Sequence, residues 1–242
     1  MLLSRSPKFR SANDIASVYD TIYREHDEVW KEQTGRTEEF INYFSALVQK
    51  WSDGRLLEIG CGEGFLLSKL HAREKFATEL SVEAIQAARS RADAEFSLAL
   101  AERLPFPTDY FDLVVAVGIM EHFLDDQEAL REIRRVLRPG GYFINLTHVY
   151  LTVLDRLRRK ISEYVFPSPR PVQFATWLLQ TIRPRRRELS SVKQPIQNKY
   201  TTRSLRLAIQ RNGFAVKEVI HTRKCPNLPL EGPWVVIVVG RK

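Results

Sequence analysis

Leu56-Leu57-Glu58-Ile59-Gly60-Cys61-Gly62-Glu63-Gly64-Phe65-Leu66-Leu67 is an apolar run holding one acid, then glycine at every second position, then a second apolar run. This pattern predicts a buried strand that turns sharply into a helix over Gly64 to Ala72, because glycine takes positive φ at little cost and lets a ligand lie on bare main chain. Gly60 and Gly62 form the expected ligand floor. A dinucleotide fingerprint needs a third glycine at the sixth position, where Phe65 stands. A triphosphate loop needs Gly-Lys-Ser/Thr, which the chain lacks. These absences leave a ligand with a ribose and a base but no phosphates, whose amino-acid ammonium Glu58 would attract.

Working outward, Lys75 to Leu80 reads as a second strand, Ser81 as an N-cap and Val82 to Arg91 as a helix. Glu79 ends that strand 17 residues beyond Gly62, where a carboxylate can accept from a ribose diol. A third strand is expected near Glu95 to Leu98 and a fourth at Phe111 to Val117. Asp125-Asp126-Gln127-Glu128 starts a helix with a pattern like a capping box. That helix runs to Leu137, is stopped by Pro139-Gly140-Gly141, and precedes a fifth strand at Tyr142 to Thr147. A helix near Ser204 to Gln210 and strands at Phe214 to Ile220 and Pro233 to Val239 close the chain. Residues 13–50 read as helical, with Ile15, Val18, Tyr19 and Ile22 on one stripe and Phe40, Ile41, Phe44, Leu47 and Val48 on another. The alternation predicts an α/β, doubly wound, mostly parallel sheet of seven strands. Residues 1–50 form an N-terminal helical cap, 51–148 with 201–242 the core, and 149–200 an insertion.

With these motifs in order, the chain resembles the class I S-adenosylmethionine-dependent methyltransferases, in particular the small-molecule group that includes quinone C-methylases. The resemblance rests on the glycine turn, Glu79, Ala101-Glu102-Arg103-Leu104-Pro105-Phe106 ahead of Phe111-Asp112-Leu113-Val114, Met120-Glu121-His122-Phe123, and Arg138-Pro139-Gly140-Gly141. It implies a Rossmann-like fold, S-adenosylmethionine as cofactor and S-adenosylhomocysteine as product. It implies Gly60, Cys61 and Gly62 beneath the methionine part, Glu79 on the ribose, Leu80 against adenine, Ala101 and Glu102 at its edge, and Val117 near the amino group. The group commonly carries Asp at the position of Leu100, so adenine here is held by Glu102, by backbone or by stacking.

A sulfonium methyl group needs alignment rather than a metal or a covalent nucleophile. Where the acceptor loses a proton, His122 after strand four is the first expected base, because its ordinary pKa of roughly 6.5 suits the task; an equal alternative is that Glu121-His122 only shapes the loop. His148, after strand five, is the second candidate. His26, His71 and His221 form no ligand spacing.

The chain has 242 residues, 44% of them hydrophobic, and a net charge of +8, enough for one substantial core. Its two cysteines, Cys61 and Cys225, suggest neither a disulfide framework nor a metal site. No apolar run reaches the ~20 residues of a spanning helix and the first residues lack a signal core, so a cytoplasmic, at most membrane-peripheral, protein is expected. Residues 151–200 hold eleven basic residues against three acidic ones, interleaved with Leu151, Leu154, Leu157, Ile161, Phe174 and Trp177. They read as a lid for an amphiphilic acceptor, as contact with an anionic membrane, or as a solvated cap. Nucleic acid is the disfavoured partner, since the Pro-Pro-aromatic and Pro-Cys motifs of base methylases are absent. An RNA methyltransferase and a non-catalytic S-adenosylmethionine-binding protein stand as alternatives.

Overall fold

The computed structural model describes residues 12–25, 38–149, 196, 198–221 and 234–242. The insertion, except Val149, Ile196 and 198–200, lies outside these residues, as do His26 and Cys225. In chain order the helices are α1 (Ala12–Glu25), α2 (Glu38–Val48), α3 (Val82–Arg91), α4 (Asp126–Val136) and α5 (Thr202–Arg211). The strands are β1 (Arg55–Ile59), β2 (Glu74–Glu79), β3 (Glu95–Leu98), β4 (Phe111–Val117), β5 (Leu137–Val149), β6 (Ala215–His221) and β7 (Trp234–Arg241).

Among the described residues the strands form one sheet in the order β3-β2-β1-β4-β5-β7-β6. β1 to β5 pair in parallel, and β7 runs antiparallel between β5 and β6. Neighbouring residues along the strands bury into opposite layers, as a pleat with both faces covered requires. Leu57, Val114, Ala116, Phe143 and Val238 pack with α4 and α5. Leu56, Leu113, Val115, Ile144 and Val239 pack with α2 and α3. On β4, Phe111 and Leu113 sit two apart yet face different layers, because the β4–β5 register slips between them.

α3 and α4 start where the sequence placed their caps, and α5 starts at a cap the sequence reading did not name. Ser81 Oγ accepts from Ala84 N at 3.2 Å at the head of α3, and Asp125 Oδ1 accepts from Gln127 N and Glu128 N, each at 3.0 Å, at the head of α4. Thr201 and Ser204 form a reciprocal capping box on α5.

Two expectations are corrected. No α-helix runs from Gly64 to Ala72; the segment is a string of turns with one 3-10 turn, Leu67–Lys69, whose first residue finds no side-chain cap. Gly64 sits at φ +77° against Ala88 of α3, so the chain stays folded on itself beneath α3 rather than extending as a helix. Pro139-Gly140-Gly141 does not separate α4 from β5 either, because β5 already begins at Leu137, pairs with Phe111, and resumes pairing at Tyr142 with Leu113. Proline, without an N–H, sits in the irregularity, where no ladder bond is asked of it. The stretch expected to be helical through 50 is two helices, with 26–37 outside the described residues.

Candidate functional site at the carboxyl rim of the sheet

A cleft of about 700 Å³, open mouth included, lies beyond the carboxyl ends of β1, β2 and β4. This is the crevice where strand order reverses and ligands of doubly wound sheets bind. Of the expected residues, Gly60, Glu79, Leu80, Ala101, Glu102, Val117 and His122 line it, together with Leu100. Another hollow, along residues 89–96, opens at the amino end of β3 and is remote from this rim.

The glycine turn is tied to β2 from both sides. Gly60 N and Cys61 N donate to Thr78 O at 2.8 and 3.1 Å, and Gly62 N donates to Glu79 Oε2 at 2.9 Å. Glu79 Oε1 accepts from Leu80 N at 2.7 Å and from Ser81 N at 3.2 Å. The acid at the end of β2 therefore braces the turn while facing the cleft. An anion braced against the first free amide of the turn repels a pyrophosphate, and no helix dipole follows it to offset that repulsion. The donor set fits a diol on Glu79, bare main chain at Gly60 and apolar walls at Leu80, Leu100 and Ala101, which is the chemistry of a nucleoside without phosphates. Gly60 lies at φ +66°, and Ile119 of the cleft wall packs where a Cβ would project.

Four expected residues stand apart from the lining, His148 among them. Glu58 is buried within β1 at 3% exposure. The Cys61 side chain packs in the α2/α3 layer. Gly62 lies behind Glu79 through the bond above. Glu102 has a second task, since its Oε1 accepts from Leu124 N at 2.7 Å and Asp125 N at 3.2 Å and so fixes the approach to α4.

The sequence placed α1 in an N-terminal helical cap without a site residue on it, and the fold lays it across the cleft. Ile15, Tyr19 and Tyr23 join the lining. Asp20 Oδ1 accepts from Ser81 Oγ at 2.6 Å, and Arg24 pairs with Glu83 at 2.7 Å, so α1 is fastened to the head of α3. Burial, with the charges of Glu79 and Glu121, pushes the Tyr19 phenol well above its ordinary pKa, so it stays protonated.

Beside the His122 wall of the cleft stand the 3-10 turn Met120–His122 and the tail of β5. Glu121, 4% exposed, receives Nδ1 of His148 at 2.5 Å. Burial pushes the Glu121 carboxyl upward, but the His148 hydrogen bond and the charges of His148 and His122 outweigh it and hold the group below the ordinary carboxylate range. His122 Nδ1 lies 2.6 Å from Ile196 O. A carbonyl only accepts, so Nδ1 carries the hydrogen and Nε2 the lone pair. Burial lowers the His122 pKa, against the opposing pull of Glu121 and the Ile196 carbonyl, so the ring is neutral at pH 7. Among the described residues no three His, Cys, Asp or Glu side chains gather to hold a metal ion, and no helix is long and apolar enough to cross a membrane.

Fold and rim define a doubly wound protein with a cleft at the point where strand order reverses. Residues 57–145 match the family model described as a methyltransferase domain. The chain is 32% identical over 105 residues to the uncharacterised methyltransferase YcgJ of Bacillus subtilis, covering 40% of this chain and 42% of that protein. It is 30% identical over 132 residues to the chloroplastic 2-methyl-6-phytyl-1,4-hydroquinone methyltransferase of Arabidopsis thaliana, covering 52% and 38%. The chain thus spans about two fifths of the length of either relative. A crystal structure from Thermotoga maritima, described as a possible histamine N-methyltransferase, superposes with a TM-score of 0.62 at 21% identity over 93% of this chain and 99% of that one, a likeness of fold.

Proposed function

We propose that the protein transfers a methyl group from S-adenosylmethionine to a small, partly apolar acceptor and releases S-adenosylhomocysteine. The observation that carries this reading is Glu79, which braces Gly62 N and faces a cleft whose other walls are apolar or bare main chain. Glu79 would hold the ribose, and Leu80 and Ala101, with Glu102 at the edge, the adenine. The main chain of Gly60, Cys61 and Gly62 would lie under the methionine part, with Glu58 and Val117 on its ammonium side. The bound sulfonium supplies an electrophilic methyl group; the protein supplies alignment, an effect of about 10⁵ to 10⁸ M in effective concentration.

An acceptor that loses a proton needs a base, and two imidazoles stand at that end: His122 on the cleft wall and His148 beside Glu121. The basic, apolar-interleaved residues 149–200 are proposed to cover the acceptor and to meet an anionic membrane surface where the acceptor is a lipid. Calorimetry with S-adenosylmethionine, then methyl-labelled transfer to alkyl-substituted aromatic acceptors, tests the reading. Absence of cofactor binding refutes it, and label appearing in RNA, with binding lost steeply as salt rises, replaces it with the nucleic-acid alternative.

A further inference from the structure

We infer that the base end of the cleft holds a purine by its apolar faces and leaves the 6-amine unread. Leu100 sets this property, and the site therefore accepts nucleoside cofactors that carry a different or larger group at that position. The inference rests on the cofactor reading above.

Glu79 fixes where the base must lie. Leu98, the last residue of β3, pairs with Glu79 of β2, one strand spacing of about 4.8 Å away. Ala99 N donates to Glu79 O at 3.2 Å. Leu100 comes next and lines the cleft with Leu80, Ala101, Phe123 and Leu124. A ribose held on Glu79 thus turns its base toward walls made of carbon.

The carboxylates of the lining are Glu79 and Glu102, and both are engaged elsewhere. Glu79 accepts from the amides of Gly62, Leu80 and Ser81. Glu102 Oε1 accepts from Leu124 N at 2.7 Å and Asp125 N at 3.2 Å, which draws the side chain to the head of α4. Swinging it to the base would strip two amides of their acceptor. The remaining polar side chains of the lining are also placed away from a base amine. The Tyr19 phenol lies where the charges of both Glu79 and Glu121 act on it, His122 Nδ1 is committed to Ile196 O, and Tyr23 packs with Leu80 against the apolar cluster of α1.

The mouth beside these walls is open and apolar. Among the described residues four large apolar side chains are exposed, and three of them frame this end: Val82 just past Leu80, Leu98 at 56% and Leu124 at 47%. At such a mouth an unread amine keeps its water and costs little. A larger group there meets carbon and displaces no buried partner. A carboxylate in place of Leu100 would act in the opposite sense. It would accept from the amine, and a base without the amine would leave it unpaired.

The test is titration calorimetry on the whole protein with three ligands: S-adenosylhomocysteine, its analogue whose purine lacks the 6-amine, and its 6-benzylamino analogue. Wild type should bind the deaminated analogue within about threefold of S-adenosylhomocysteine, and the benzyl analogue at least as tightly, because its ring buries apolar surface at the mouth. Leu100→Asp should create discrimination, with the deaminated analogue weaker than S-adenosylhomocysteine by about tenfold or more. Glu102→Gln should change the affinities for these two ligands by the same factor. A wild-type preference for the amine above about threefold, exclusion of the benzyl analogue, a Leu100→Asp variant that discriminates no better than wild type, or a Glu102→Gln variant that alters the ratio would each overturn the inference. Failure of wild type to bind S-adenosylhomocysteine itself would instead overturn the reading beneath it.

Discussion

Substituting Gly60 by Ala perturbs the glycine turn where two costs are separable. At φ +66° an L-residue carries a left-handed conformation that costs about 1–2 kcal/mol. The new Cβ would stand 2.7 Å from Ile119 Cγ1 and 2.8 Å from its Cδ1, against a favourable carbon–carbon separation of about 3.5–4.0 Å. Ile119 must retreat by roughly 1 Å, and such overpacking costs about 1–3 kcal/mol. Gly60→Ala should therefore destabilise the protein by roughly 2–5 kcal/mol. Introduced into an Ile119→Ala background, which removes Cγ1 and Cδ1 and leaves only the Cβ contact at 3.2 Å, it should cost mainly the backbone part, about 1–2 kcal/mol. Urea unfolding of the four proteins in this cycle measures both terms. A single-mutant cost below about 0.5 kcal/mol, or an equal cost in both backgrounds, would refute the reasoning.

Asp125→Ala removes the acceptor at the head of α4 and should cost about 1 kcal/mol in the same denaturation assay. Tyr200→Phe removes a 2.6 Å bond to Asp126 Oδ2 and should cost about 1–2 kcal/mol, unchanged across neutral pH because the phenol stays protonated. Stability should fall on acidification in two stages. His122 has a lowered pKa in the fold, so the stability it contributes is present above its ordinary value near 6.5 and is lost as pH falls through its folded value. Glu121, also lowered, adds a loss below about pH 4.3. Urea midpoints between pH 7 and 5 should drop less in His122→Asn than in wild type, and an equal drop would contradict the assignment.

The strands and caps were legible because local chemistry fixes them. Ser81 and Asp125 stand where their side chains meet the first free amides of α3 and α4, and the bounds of β1 and β4 follow apolar runs that both layers bury. The turn after Gly62 was not legible as non-helical, since Leu66, Leu67 and Leu70 carry an apolar period that suits a helix. What overrides it is tertiary: Gly64 pressed against Ala88. The early start of β5 was hidden by Pro139-Gly140-Gly141, a stop signal for α4 that is also tolerable inside a strand irregularity. At the site, Gly60 and Glu79 were legible because glycine and a strand-end acid have positional meaning. The closure of Glu121 on His148, 27 residues apart, follows from β4 and β5 being neighbours and has no local signal. The placement of Tyr19 over the cleft depends on Asp20 finding Ser81, a contact across 61 residues.

The most direct measurement is titration calorimetry of S-adenosylmethionine and S-adenosylhomocysteine into the purified protein and its Glu79→Gln variant. The expected result is one cofactor per chain for the wild type, with affinity at least tenfold weaker in the variant, about 1.4 kcal/mol or more. Absence of binding to the wild type, or equal affinity in both proteins, would contradict a cofactor held by its ribose at the end of β2.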